Sequence, residues 1–332
     1  MIDLHMHSSY SNDGEFSPLE LVEMCAEQGI DLMSITDHNC VRANKEAVLS
    51  AEEKNITYIP GIEIDCTFED TNFHMLGYGV DDTSGDFYEI EEHIRAQGLN
   101  ASLEMLKKTQ DLGFHITETE MWNLSKDNYW KETWTGEMFA EILLSKPEYT
   151  GHSLLKPYRR AGARGDNPFV NFYWDYYSQG RPCHVEIAYP SMQKVVAMIH
   201  RNHGIAVLAH PCVNLKGKRH LMRKIMEFGI DGIEAFSSYH STKQAADILG
   251  EAERNHLVIT CGSDFHGKTK PSIFLGGHNC SMPETEIRGR FMKSVAVKDG
   301  TSEVICPNKN VVNADSKREN KTEGIRDENK II

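Results

Sequence analysis

Apolar and polar residues alternate with period two over Ile2-Asp3-Leu4-His5-Met6-His7, which predicts a strand carrying Asp3, His5 and His7 on one face. Ser17-Pro18-Leu19-Glu20 combines an N-cap, a proline at the first helical position and a capping-box glutamate, and Gly29 closes the helix they open. The mostly apolar run from Ile30 to Ile35, ending in Thr36-Asp37-His38, predicts a second strand; a helix over residues 42–54 and a third strand over residues 56–64 follow. This βαβαβ order implies parallel strands joined by helical crossovers. One more strand is predicted over residues 73–80, and then the rhythm breaks. Residues 85–181 read as a long amphipathic helix ending near Gly113, a shorter helix over residues 136–144 and a basic, aromatic-rich segment. The alternation resumes with a helix over 192–202, a strand over 205–210, a helix through Met226, a strand over 232–236, a helix over 242–255 and a strand over 257–261. Because the body pattern stands on both sides of the middle block, that block is an insertion. The predicted organisation is an α/β body of residues 1–97 and 180–285, a mainly helical cap of residues 98–179, and a C-terminal extension of residues 286–332. Asn, Lys, Asp and Glu dominate from about residue 308, which predicts disorder there.

The composition narrows the class. The chain has 332 residues, 40% of them hydrophobic, with 35 Lys+Arg against 49 Asp+Glu and a net charge of −14. That length supports a substantial core and excludes a disulfide-stapled miniprotein. No run of about 18 apolar residues occurs, and the chain opens on Met1-Ile2-Asp3-Leu4-His5 instead of a basic segment and an apolar stretch, so the expectation is a cytoplasmic protein without a membrane span. The acidic balance argues against charge-driven binding of duplex nucleic acid, and leaves room for a small anionic substrate where cations line a pocket. The eight cysteines form no Cys-x-x-Cys pair and several fall in apolar stretches, as expected for reduced, mostly buried thiols. The unusual number is 16 histidines in an acidic chain.

Metal-binding side chains recur at or just beyond the C-terminal ends of predicted strands: His5 and His7, His38, Glu63, His210, and Asp264 with His266. In a parallel barrel those ends share one face, so residues spread over 260 positions converge. Asp13, in the loop after the first strand, reaches the same rim, whereas His74 sits near the start of its segment and fits less well. Each element has a plain alternative: His-x-His a surface or core pair, Glu63 a salt-bridging carboxylate, Asp13 a turn residue before Gly14, His210 a strand end. Their coincidence at one predicted face favours a metal site.

Asp3-Leu4-His5-Met6-His7, Thr36-Asp37-His38, Gly61-Ile62-Glu63, His74, Ala209-His210-Pro211 and Gly262-Ser263-Asp264-Phe265-His266-Gly267 resemble, in order and spacing, the motifs of the PHP (polymerase and histidinol phosphatase) family. The resemblance covers residues 1–97 and 180–280. It implies a distorted (β/α)7 barrel with a metal cluster at its C-terminal rim. By position, His5, His7, Glu63 and Asp264 would hold one cation, Glu63 would bridge to a second held also by His74 and His210, and Asp13, His38 and His266 would hold a third. Mixed imidazole and carboxylate ligation suits Zn, Mn or Fe. Two such cations about 3.5 to 4 Å apart share a hydroxide and clamp an in-line displacement at phosphorus, the chemistry of a phosphoesterase. In that scheme the bridging hydroxide is the nucleophile, Glu63 the bridge and Asp264 the proton acceptor.

The segment Lys156 to Gly165 concentrates cations, and Arg159, Arg160 or Arg164 could hold a phosphate; a solvated basic loop is the alternative. Phe169, Phe172, Tyr173, Trp174, Tyr176 and Tyr177 offer a stacking platform for a base or, alternatively, pack the cap onto the body. His240 resembles a family position near the substrate. Where nucleotide-cleaving relatives commonly show Arg-Pro-His at the start of a cap helix, this chain reads Trp134-Thr135-Gly136-Glu137-Met138. The expected function is a metal-dependent phosphoesterase for a nucleotide, either a 3′,5′-bisphosphonucleotide or a short 5′-phosphorylated oligonucleotide. The alternatives are a phosphatase for a metabolite such as histidinol phosphate, and a non-catalytic metal-stabilised binding module.

Overall fold

The computed structural model describes residues 1–298. Strands β1 (Ile2–Asp3), β2 (Leu32–Met33) and β3 (Thr57–Tyr58) pair in parallel in that order, with α1 (Pro18–Glu27) and α2 (Ala43–Glu53) as crossovers. Helix α1 starts as its residues dictate: the Ser17 hydroxyl accepts from Glu20 N, the Glu20 carboxylate accepts from Ser17 N, and Leu21, Val22 and Cys25 turn into the core.

The single strand expected over residues 56–64 is two strands. Pro60 has no N–H for a ladder, so the chain leaves β3 at Tyr58 and enters a second sheet at Gly61. There β4 (Gly61–Phe68) and β5 (Thr71–Tyr78) form an antiparallel hairpin, turned by Glu69 and Asp70 with φ of 44° and 56°. A two-residue turn with both φ positive matches the twist of a hairpin. Strand β5 also pairs antiparallel with β6 (Ile205–Leu208), and β6, β7 (Gly232–Ser237) and β8 (Val258–Gly262) run parallel. The ladders therefore define a mixed α/β fold of one three-stranded and one five-stranded sheet, where a uniformly parallel set was expected. Beyond the strand ends, Leu4 N donates to Cys261 O (3.1 Å) and Glu63 N to Asp37 O (3.1 Å), which joins the two sheets edge to edge.

Helices α3 (Gly85–Asp111), α4 (Glu118–Ser125), α5 (Gly136–Ser145) and α6 (Pro168–Tyr176) fill the middle block, and α7 (Met192–Arg201), α8 (Pro211–Leu215), α9 (Arg219–Met226) and α10 (Thr242–Arg254) alternate with the later strands. The apolar side chains form separate clusters. One is centred on β4 to β8 and includes Phe87 of α3, a second spans residues 106–183 and includes Leu106 of the same helix, and a third lies under α1 and α2. Helix α3 thus connects the body to the middle block.

The chain ends its described part in α11 (Glu284–Lys298), whose Ile287 and Phe291 are fully buried, with the Phe291 ring edge-on to Tyr78 at 5.3 Å. Burying each such side chain contributes about 1.5–3 kcal/mol, so α11 is held on the body through Ile287 and Phe291. An apolar stripe as narrow as Ile287 and Phe291, flanked by Arg288 and Arg290, is a weak helical signal. The disorder expected from about residue 308 lies outside the described residues. Among the described residues the cysteines are free thiols, and no helix is long and apolar enough to cross a membrane.

Candidate metal centre

The chain delivers its ionisable side chains to one place from segments far apart in sequence. His5 and His7 follow β1, Asp13 sits in the loop before α1, His38 follows β2, Glu63 lies in β4, His74 in β5, His210 just after β6, and Asp264 and His266 just after β8. The antiparallel hairpin resolves the position of His74: it is the register partner of Asp65, and Glu63 shares that face two residues earlier. Two of these residues sit in strained backbone, His210 at φ 21° and Asp264 at φ 58°, a cost of roughly 1–3 kcal/mol each that tends to concentrate at functional sites. Gly262 permits the convergence, because a Cβ there would stand 2.2 Å from His5 Cβ.

Glu63 is the centre. Its Oε1 lies 3.0 Å from His74 Nδ1 and 3.1 Å from His210 Nε2, and its Oε2 lies 3.2 Å from His5 Nε2, 3.1 Å from His7 Nε2 and 3.3 Å from His38 Nδ1. Asp264 Oδ1 is 3.1 Å from His7 Nε2 and 3.3 Å from His5 Nε2, and Asp13 Oδ2 is 3.3 Å from His266 Nε2. Four sets of potential ligand atoms each fall within 4.8 Å of one another: His5, His7, Glu63 and Asp264; Glu63, His74 and His210; His7, Asp13, His38 and His266; and His38, Asp65 and His74.

The other edge of four of the six imidazoles is already committed. His5 Nδ1 donates to Glu234 Oε1 (3.0 Å), His7 Nδ1 to Ser11 Oγ (3.0 Å), His210 Nδ1 to Asn214 Oδ1 (3.0 Å) and His266 Nδ1 to its near neighbour's carbonyl, Asp264 O (2.9 Å). Ser11 Oγ in turn donates a hydrogen bond to Asp37 Oδ1 at 3.0 Å. These bonds fix the tautomers so that Nε2 presents a lone pair inward. As a result His5 Nε2, His7 Nε2, His266 Nε2, His38 Nδ1, Glu63 Oε2, Asp264 Oδ1 and Asp13 Oδ1 are buried without a hydrogen-bond partner. Lone pairs facing lone pairs in a dry pocket are costly unless a cation lies among them, and an imidazole and carboxylate donor set fits Zn, Mn or Fe.

With no cation among them, the groups share protons: burial opposes a charge on His5 and His74, yet Glu63, Glu234 and Asp264 raise His5 well above the usual range, and Glu63 and Asp65 raise His74 to about 10. Burial opposes a charge on Glu63, yet His5, His74 and His38 hold its carboxyl well below the usual range; burial likewise opposes ionisation of Asp264, and Lys270, His266 and His5 outweigh it. Burial, reinforced by His266 and His38, pushes His7 down to about 4, leaving it neutral and able to ligate. Asp264 Oδ2 already accepts from Tyr239 OH (2.6 Å) and Lys270 Nζ (2.7 Å). An ionised carboxylate so engaged is suited to hold a cation.

Sequence reasoning missed Asp65, Glu234, Ser11, Asp37, Tyr239 and Lys270. Two signals were present: Asp65 shares the strand face of Glu63, and Glu234 is a carboxylate inside an apolar strand. The expected substrate cations are elsewhere. Arg159 donates to the carbonyls of Leu144 (3.1 Å) and Tyr149 (2.8 Å), Arg164 forms a two-pronged pair with Asp175 (3.1 and 3.2 Å), and Arg160 is exposed. All three are absent from the walls of the cleft that opens over the centre, because the middle block uses two of them to satisfy its own backbone and acid groups. His240 is buried behind His210; its Nδ1 donates to Ala235 O (3.0 Å) and its Nε2 accepts from Cys212 N (3.4 Å), so it braces backbone instead of facing the cleft. Of the aromatic stripe, Phe172 and Tyr177 pack in the second core, while Tyr173 and Trp174 line the cleft. That cleft, about 220 Å³, has Asp13, His38 and His74 on one wall and Trp134, Tyr173 and Trp174 on the other.

Comparison with known proteins follows the same lines. The PHP domain family profile matches residues 3–155. The 3′,5′-nucleoside bisphosphate phosphatase of Chromobacterium violaceum is 28% identical over 269 residues, which cover 80% of this chain and 87% of that protein. A 5′-3′ exoribonuclease of Haemophilus influenzae is 26% identical, over 80% of this chain and 89% of its own. In fold, the chain resembles a Bifidobacterium adolescentis protein described as a metal-dependent phosphoesterase, with a TM-score of 0.70 at 24% identity, covering 89% of this chain and 95% of the other. Residues 3–155 match the PHP domain, and the relatives that this chain resembles over about four-fifths of its length are named as a phosphatase and an exoribonuclease.

Proposed function

We propose that the chain hydrolyses a phosphate ester of a nucleotide, either a 3′,5′-bisphosphonucleotide or a short 5′-phosphorylated oligonucleotide, using three divalent cations (Mn, Fe or Zn). His5, His7, Glu63 and Asp264 hold the first, Glu63, His74 and His210 the second, and Asp13, His38 and His266 the third. The observation that carries this reading is the set of buried, unpartnered lone pairs at the floor of a cleft whose opposite wall is aromatic. When bound, the cations supply Lewis-acid polarisation of the phosphoryl oxygen and activation of water.

The protein's own groups do the rest. Glu63 turns one oxygen to each of two ligand sets, and its depressed pKa keeps both oxygens ionised for bridging. Glu234, Ser11 and Asn214 orient the imidazoles. Tyr173 and Trp174 line the cleft where a base would stack, and the Trp174 ring also carries the Lys216 ammonium 4.8 Å from its centre. The names of the Chromobacterium and Haemophilus relatives, a nucleoside bisphosphate phosphatase and an exoribonuclease, favour a nucleotide. In the same reading the two sheets, joined edge to edge, are a distorted (β/α)7 barrel, with residues 98–179 as its cap; the separate apolar cluster over residues 106–183 supports that division.

The test is phosphate release by metal-loaded protein from a panel of nucleotides, short oligonucleotides and metabolite esters. Release from nucleotides is expected. Turnover of histidinol phosphate alone would move the assignment to a metabolite phosphatase. Inertness toward every ester, or a Glu63→Ala variant with full activity, would overturn the catalytic role of the centre.

A further inference from the structure

Lys270 stands where the arginines of the middle block were expected to act. It follows a single turn at Gly267–Thr269 whose neighbours are tied on several sides: Lys268 Nζ to Glu141 of α5 (2.8 Å), Lys268 N to Glu15 Oε2 (2.6 Å), Thr269 Oγ1 to Asp13 O (2.7 Å) and Ser272 N to Asn167 Oδ1 (2.9 Å). The segment is thereby fixed to the metal-side loop and to the cap-side helix at once. The Lys270 side chain is 9% exposed and lines the cleft beside Asp13 and His38. Its Nζ has one hydrogen-bond acceptor among the described residues, Asp264 Oδ2 at 2.7 Å, and lies 5.4 Å from the centre of the Tyr239 ring.

An ammonium carries three N–H donors. One meets Asp264, and a nearly buried cation with its other donors unmatched is costly unless an anion joins it. Asp264 divides its carboxylate: Oδ1 faces His5 and His7, Oδ2 faces Lys270. An anion in the cleft over the centre therefore meets the ammonium on the same side as the ligand cluster. We propose that Lys270 is a catalytic residue that binds a non-bridging oxygen of the substrate's phosphoryl group, a role resting on the phosphoesterase assignment above.

Lys270→Met keeps the length of the side chain and removes the charge; Lys270→Arg keeps the charge and displaces it. Three quantities are measured on metal-loaded protein: metal content by elemental analysis, affinity for inorganic phosphate by calorimetry, and kcat and KM for 4-nitrophenyl phosphate and for a nucleotide. The Met variant is expected to retain its metals, bind phosphate about 10- to 100-fold more weakly, and lose kcat/KM by the same factor on both esters, with partial recovery in the Arg variant. Unchanged phosphate affinity in both variants overturns the proposal. Loss of metal in step with affinity also overturns it, by reducing Lys270 to a support for Asp264. A loss confined to the poorer leaving group overturns it in favour of proton donation to the leaving oxygen. Should the Met variant fail to fold, the Arg variant decides: weaker phosphate binding at full metal content supports the anchor. If the wild-type protein cleaves no ester yet binds phosphate through Lys270, the anchor stands and the hydrolase assignment falls.

Discussion

The two walls of the cleft are built on opposite principles. On the body side, carboxylates and imidazoles are buried with their lone pairs turned toward one another, two of them in strained backbone. On the cap side, Trp134, Tyr177 and Phe172 pack as an ordinary core, and Arg164 and Asp175 neutralise each other. The first wall is destabilised in the protein alone and stabilised by what it binds; the second is stable by itself and gives shape. Polar groups that a protein leaves unsatisfied mark function more reliably than polar groups that merely occur in a promising segment.

The comparison breaks most sharply at Glu63. Glu63→Gln removes the charge shared by two ligand sets, and because even partners behind the ligands are worth about 10- to 100-fold in metal affinity, the loss in kcat should exceed about 100-fold, with reduced metal content by elemental analysis. Metal removal should act on the same wall through stability. Restoring cations at about 1,000 times Kd contributes about 4 kcal/mol, so chelation should lower Tm by roughly 10 °C in a calorimetric scan. A chelated protein with an unchanged Tm would deny that these lone pairs are waiting for a cation.

On the cap wall the effects should be smaller and of another kind. Trp174→Ala should raise KM for a nucleotide roughly 5- to 100-fold, following the stacking energy of one base, while leaving KM for 4-nitrophenyl phosphate nearly unchanged. Behind the body wall, Glu234→Gln leaves His5 without its carboxylate partner and should weaken metal binding about 10-fold, measured by titration of the stripped protein. Smallest of all, Arg164→Ala should change stability by under about 1 kcal/mol and leave kcat/KM within about 2-fold; a large loss of phosphate affinity would return that arginine to the substrate site.

Much of the body was legible because its signals are local. The Ser17-Pro18-Leu19-Glu20 start, the apolar strands before His38 and His210, and the closure of helices at Gly29 and Gly113 need only neighbouring residues to be read. The split at Pro60 and the hairpin at Glu69-Asp70 were readable in principle, but the expectation of a continuing βα rhythm overrode them. Helix α11 escaped because its buried face is only Ile287 and Phe291.

By itself, the amino-acid sequence determined which chemistry is present: nine imidazoles and carboxylates, seven of them read at strand ends, in a chain of net charge −14. Tertiary structure alone decided which polar groups remain unsatisfied once the chain is folded. Arg159 and Arg164 look available in the sequence and are consumed in the cap, whereas Lys270 and Tyr239 look incidental and both meet Asp264. These partners lie 6 to 25 residues apart along the chain, and only the folded backbone settles which of them meet and which charges stay free to act.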